Sequence, residues 1–325
     1  DGAFVLTATD GSYVETTAPT SYAQVASGSW EMYGVVYNTV DGDLELSGYL
    51  GNGYDIASAS YDSVSFSVGS QDTLPNGLVF NSDGSKMFVV GRTDQVIDEY
   101  TLSTVFDVSS STFRDSFSVS SQGTEPAGIA FNTDGTKMFI AGAQSQHINY
   151  YTLSTGFNIS TASADSGFSV APYIPEGITF NNDGTKMYIA TQNNNDIRQY
   201  NLSTGFDIST ASFNQRFDIS AQDTASRGVR FNSNGTSMFV LGGITDFVYK
   251  YELSTGFDIS TASFASSFSI ASQETIAAGL TFNSDGTKMY IVGYQNDTVF
   301  QYSSQAAFAA TGYQPVHTTA SIDTT

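Results

Sequence analysis

The stretch GLVFNSDGSKMFVVG, residues 77–91, decides how the rest of the chain is read. Its first four residues make a short apolar strand. Asn81, Asp83 and Gly84 carry the chemistry of a tight turn, because Asn and Asp side chains accept from nearby backbone amides and Gly takes the positive φ of a hairpin. KMFVVG is then apolar without interruption, as a strand covered on both faces should be. The same fifteen residues return as GIAFNTDGTKMFIAG from Gly128, GITFNNDGTKMYIAT from Gly177, GVRFNSNGTSMFVLG from Gly228 and GLTFNSDGTKMYIVG from Gly279, at spacings of 51, 49, 51 and 51. Self-similarity at that period marks a repeat architecture whose units bury their cores against one another. An EF-hand reading of N-x-D-G fails, since no Glu follows at the required distance and no helices flank the loop.

The rest of each unit completes four strands. After KMYIVG comes TVFQY; LSTGFDISTAS makes a long connection, and SFSI or SFSV supplies an outer strand before a loop such as SQDTLPNG leads onward. The six methionines, Met32, Met87, Met138, Met187, Met238 and Met289, all fall in register. They point to a degenerate first unit, in which SWEMYGVVYNTVDGDLELSGYL copies TKMYIVGYQNDTVFQYSS and GYDIASASYDSVSFSVGSQ, residues 53–71, matches GFDISTASFASSFSIASQ. The expectation is an all-β, six-bladed β-propeller of four-stranded antiparallel blades with a repeat of about 50 residues, occupying residues 22–302 with blades starting near 22, 77, 128, 177, 228 and 279. Closure by strands from both chain ends removes free sheet edges. AFVLTA at residues 3–8, within a lead-in of residues 1–21, is preferred as the closing strand over the rival around Phe308, and residues 303–325 become a tail or a linker to a further module.

Eleven Lys and Arg against 32 Asp and Glu give the 325-residue chain a net charge of -21, which repels phosphate backbones and anionic membranes. Nucleic-acid binding is thereby disfavoured, and no run of eighteen apolar residues predicts a membrane span. Cysteine is absent, so no disulfide stabilises the fold. The start at Asp1 points to processing or excision from a longer precursor. Scarce Lys with abundant Ser, Thr, Asn and Gly suits an extracellular, cell-surface or virion protein, part of a larger assembly or longer chain.

Residues 75–89 and the copy in EPAGIAFNTDGTKMFI fit P-x-G-[ILV]-x-F-N-x-D-G-[ST]-K-M-[FY]-[IV]. This pattern, over about 250 residues, resembles the NHL, YVTN and TolB-like repeat propellers. The resemblance implies the fold; because those families include adhesins, scaffolds, signalling modules and enzymes, it implies no single activity.

Function is expected on the face carrying the loops between second and third strands and between outer and inner strands, where the units differ most. Those loops hold the candidate binding residues Arg92, Asp94, His147, Tyr173, Arg227, Tyr294, Asn296 and Asp297. Glu125, Glu176, Asn194 and Asp246 are the candidates for a metal in a gluconolactonase-like channel, and their oxygen donors would suit Ca2+. An acidic, Asn-rich chain also places such residues there by chance. With His147 and His317 the only histidines, a Ser-His-Asp triad would rest on His147 alone, and no catalytic residue is assigned. Phe80, Phe131, Phe180, Phe231, Phe282 and the third-strand tyrosines Tyr100, Tyr151, Tyr200, Tyr251 and Tyr302 repeat and so read as core; Trp30, Tyr173, Tyr294 and Tyr313 do not. Asn158, Asn201, Asn234 and Asn296 fit the glycosylation sequon, which several owe to the repeat itself. The leading reading is a non-enzymatic recognition, adhesion or structural module that binds a protein or glycan through this face. A calcium-dependent hydrolase or lyase and a lectin are the alternatives.

Overall fold

A computed structural model describes residues 53–304 apart from 123–124, together with two short strand pairs, Val5–Thr7 with Tyr13–Glu15 and Val36–Tyr37 with Leu44–Glu45. The repeat folds into blades of antiparallel strands running from the inside of the ring outward. Blade I comprises Pro75–Phe80, Lys86–Gly91, Val96–Leu102 and Ser111–Ser118. Blades II, III and IV repeat it from Pro126–Phe131, Pro175–Phe180 and Ser226–Phe231; the outer strand of blade II is split into Ala162–Ala164 and Phe168–Ser169. In blade V the strands Ala277–Phe282, Lys288–Gly293 and Thr298–Ser303 are joined on the outside by Ser60–Ser67, from the other end of the chain.

The propeller therefore has five blades, which corrects the expectation of six. Two observations carry the correction. Five apolar layers each lie between neighbouring blades, and one of them joins blade V to blade I through Tyr290, Val292 and Val299 against Leu78, Met87 and Tyr100. The inner strands also meet with no room for another. A Cβ on Gly128 would lie 2.6 Å from the Glu176 carbonyl oxygen and one on Gly177 2.7 Å from that of Arg227, while one on Gly279 would run into the Asn76 carbonyl, so blade V touches blade I as the others touch their successors. Glycine is required there because the backbones approach within van der Waals range.

The alignment of residues 53–71 with GFDISTASFASSFSIASQ is sound, but its assignment is corrected. The segment completes the last blade instead of ending a first one. Phe106, Phe157, Phe206 and Phe257 hold positive φ and set their rings on Gly84, Gly135, Gly184 and Gly235; Tyr54 does the same on Gly286, donating its amide to the Gly286 carbonyl at 2.5 Å. Asp62 then fixes the closing strand, accepting from Ser303 Oγ at 2.6 Å, Gln301 Nε2 at 3.0 Å and Lys288 Nζ at 3.3 Å. Burial opposes the Asp62 charge, but these donors outweigh it and hold the carboxyl below its ordinary value. The outer edge proposed for residues 3–8 or for the Phe308 segment is thus filled by Ser60–Ser67, while Val5–Thr7 pairs with Tyr13–Glu15. Met32, Trp30, Tyr313 and Phe308 lie outside the described residues.

Met87, Met138, Met187, Met238 and Met289 are fully buried. Met187→Ala should cost about 2–5 kcal/mol, read as a lowered midpoint in chemical denaturation. Removing residues 1–10 should leave cooperative unfolding intact, whereas a chain beginning at residue 72 should lose it, as followed by calorimetry.

Candidate functional site

Each blade brings two positions to one end of the central channel. The first precedes the inner-strand glycine: Asn76, Ala127, Glu176, Arg227 and Ala278. A register shift in the pairing of the inner and second strands falls at or beside it in every blade. The second follows the second strand: Arg92, Ala143, Gln192, Gly243 and Tyr294, whose amides donate at 2.9–3.1 Å to the carbonyls of Leu74, Glu125, Ile174, Ala225 and Ile276. The scaffold is repeated, yet these ten side chains are not.

Five of them form one network with Glu125. Arg92 Nη2 donates to Glu125 Oε2 at 2.6 Å, and Nη1 reaches Glu176 Oε1 at 3.5 Å and the Tyr294 hydroxyl at 3.2 Å. Asn76 Nδ2 donates to Glu176 Oε2 at 3.4 Å. Arg227 Nη1 donates to the same Tyr294 hydroxyl at 3.3 Å, its guanidinium 5.4 Å from the ring centre. Burial works against the Arg92 charge, but Glu176, Tyr294 and Glu125 together hold it above its ordinary value. Burial and Glu176 raise the Tyr294 phenol against the pull of Arg227 and Arg92, so it stays protonated. Asn76 Oδ1 and Arg227 Nε remain buried without a hydrogen-bond partner.

The structure thus joins Arg92, Arg227 and Tyr294 from the binding candidates with Glu125 and Glu176 from the metal candidates. The others make no hydrogen bond into this network, although Asp246 is close enough to feel the Arg227 charge. Asp246 and Asp297 occupy the left-handed position that ends the loop of their blades, and their carbonyls accept from Ile270 and Val68. Burial raises the Asp246 carboxyl, helped by Glu274 and Asp223 and opposed by Arg227. Asp94 and Asn296 are exposed, and Asn194 is half-buried in the corresponding loop of blade III. His147 opens a strand and donates from Nδ1 to the Ser145 carbonyl at 2.6 Å, and Tyr173 lies under Arg198, 3.2 Å from guanidinium carbon to ring centre. Among the described residues no three His, Cys, Asp or Glu side chains converge as metal ligands.

Sequence reading missed the carboxylates that shape these loops. Asp72 accepts from the amides of Leu74 and Asp94; Asp223 from Ala225, Ile244 and Thr245; Glu274 from Ile276, Gln295 and Asn296. All three are nearly inaccessible, and the recurring Q-[DE]-T of SQDT, AQDT and SQET was their signal. Asp98 was missed because its equivalents are Asn149, Arg198, Tyr249 and Phe300, so no repeat marks it.

No family model matches the chain, and no curated protein matches it. Solved structures match parts of the chain at low identity. A functionally unknown protein from Desulfotomaculum acetoxidans is 14% identical with a TM-score of 0.43, over 67% of this chain and 62% of that one. A candidate 6-phosphogluconolactonase from Bacteroides fragilis is 13% identical with a TM-score of 0.45, over 72% of each. Hydrazine synthase of Kuenenia stuttgartiensis is 15% identical with a TM-score of 0.43, over 69% and 56%. Among the described residues no helix is long and apolar enough to cross a membrane.

Burial raises the Asp98 carboxyl to about 6, opposed by a hydrogen bond from Ser116 and helped to a smaller extent by Asp72 and Asp94. A raised folded-state value favours the protonated acid, so its contribution is present below about pH 4 and lost as pH rises through about 6. Asp98→Asn should therefore stabilise the protein at pH 8 by about 1–3 kcal/mol and have little effect at pH 4, as read by thermal melts across that range.

Proposed function

We propose that the channel mouth is a recognition site and that the protein is a non-enzymatic binding module, taking a protein or glycan partner outside the cell, on a cell surface or a virion. The observation that carries this reading is the convergence of Asn76, Arg92, Glu125, Glu176, Arg227 and Tyr294, from all five blades, in one hydrogen-bonded network at one end of the channel. Drift in surface loops accounts for scattered differences; it does not account for partly buried groups bonded across blades. Asn76 Oδ1 and Arg227 Nε, buried without a protein partner, leave hydrogen-bonding capacity in the network unfilled. Tyr294 and two guanidinium groups are the aromatic and Arg types that dominate recognition surfaces. Scarce Lys and abundant Ser, Thr and Asn support the extracellular placement.

A calcium-dependent hydrolase is the second reading, favoured by the carboxylates of Glu125 and Glu176 at the mouth. Both are engaged by Arg92. A divalent ion would have to displace that guanidinium.

Glycan-array binding of the wild type should produce hits that weaken at least tenfold in Arg227→Ala and Tyr294→Ala, with melting temperatures kept near the wild-type value. Stoichiometric divalent metal in native mass spectra, lost with EDTA together with turnover of lactones, would replace the recognition reading with the hydrolase one.

A further inference from the structure

The opposite end of the channel carries a separate feature. One position short of the end of the inner strands stand Val79, Ala130, Thr179, Arg230 and Thr281, so blade IV alone places a charge there. Arg230 donates from Nη1 to the carbonyls of Val229 at 2.9 Å and Ile178 at 3.0 Å, and from Nη2 across the channel to Leu78 at 3.0 Å. These three bonds leave two of the five guanidinium N–H groups unassigned. No carboxylate pairs with it among the described residues, in a chain where acids outnumber bases by 32 to 11. Burial without a counter-charge lowers the Arg230 guanidinium to about 10, which leaves it cationic at neutral pH. Arg230 helps line a cavity of about 320 Å³ that it shares with Phe80, Phe131, Phe180 and Phe206 and with polar side chains such as Asn132 and Asn181.

We infer that this cavity binds a small carboxylate bearing an aromatic or bulky apolar group, the anion on Arg230 and the apolar part against the phenylalanines. A half-buried cation with spare donors and no counter-ion among the described residues is open to an anion, and a carboxylate is the planar acceptor whose geometry a guanidinium matches. The aromatic walls reward an apolar body, and the volume lies at the lower end of small-molecule sites. The net charge of -21 opposes any anion at long range, so recognition depends on local contacts and excludes multiply charged ligands. The site lies some three residues of inner strand, about 10 Å, from the mouth residue Arg227, and does not depend on the reading of that end.

The test uses sodium benzoate as the probe, with sodium chloride at equal ionic strength and neutral benzamide as controls. Benzoate at 10 mM should raise the wild-type melting temperature by about 2–4 °C over chloride, and benzamide should not. Arg230→Gln should abolish the benzoate shift, and Arg230→Lys should retain part of it. Equal melting temperatures in benzoate and chloride would overturn the inference, as would a benzoate shift undiminished in Arg230→Gln. If Arg230→Gln does not fold, Phe131→Ala takes its place: a benzoate shift reduced by half or more supports the cavity, and an unchanged one overturns it.

Discussion

The contact between the inner strands of blades V and I, Gly279 against the Asn76 carbonyl, is the constraint on which the molecule depends. Each blade covers an apolar face only when a neighbour lies against it, so an open row of blades would leave the two end faces wet. Closing the row buries both faces and sets the number of blades by how tightly the glycine-lined strands pack. Ser60–Ser67 on blade V fastens that closure, because this N-terminal-side strand can leave the ring only by breaking its ladder with Thr298–Ser303, the Tyr54–Gly286 contact and the three donors on Asp62.

Closure also governs the electrostatics. Inside the ring, water cannot screen charges as it does on the rim, so a charge there must be answered locally or remain costly. Glu176, fully enclosed, is answered by Arg92 and Asn76. Glu99, also enclosed, is answered outside the channel by Lys86 and Arg114. Asp72, Asp223 and Glu274 are answered by backbone amides, which makes them part of the loops they hold. Arg230 is answered only by carbonyl dipoles.

Much of this was legible in the sequence where a residue recurs. The strand order, the turn at Asn81 to Gly84, the buried methionines and the third-strand tyrosines all follow from period and residue type, since every blade solves the same packing problem with the same residues. The blade count did not follow. Residues 53–71 carry the pattern of a fourth strand, but pattern does not state which blade that strand joins; the distance between Gly279 and Asn76 in the closed ring does. Arg92, Arg227 and Tyr294 stood out because the repeat changes at their positions, whereas their meeting through one hydroxyl depends on the ring's diameter. Arg230 was hidden in GVRF, where a single departure inside a strand reads as a tolerated substitution.

The two ends of the channel differ in a way that bears on how each could act. At the mouth, opposite charges and neutral donors and acceptors are interleaved, so the surface can exchange hydrogen bonds with a polar partner while its net charge stays small. Such a surface selects by geometry, because most of its donors already have a competing partner in place. At the far end a single cation stands against aromatic walls, where charge and apolar area do the selecting. Arg230 and the mouth residues sit where the blades differ, whereas the phenylalanines at the far end repeat and belong to the interblade layers. A closed ring therefore permits two independent specificities on one scaffold: the layers between blades constrain what must repeat, and the channel ends are among the positions left to vary.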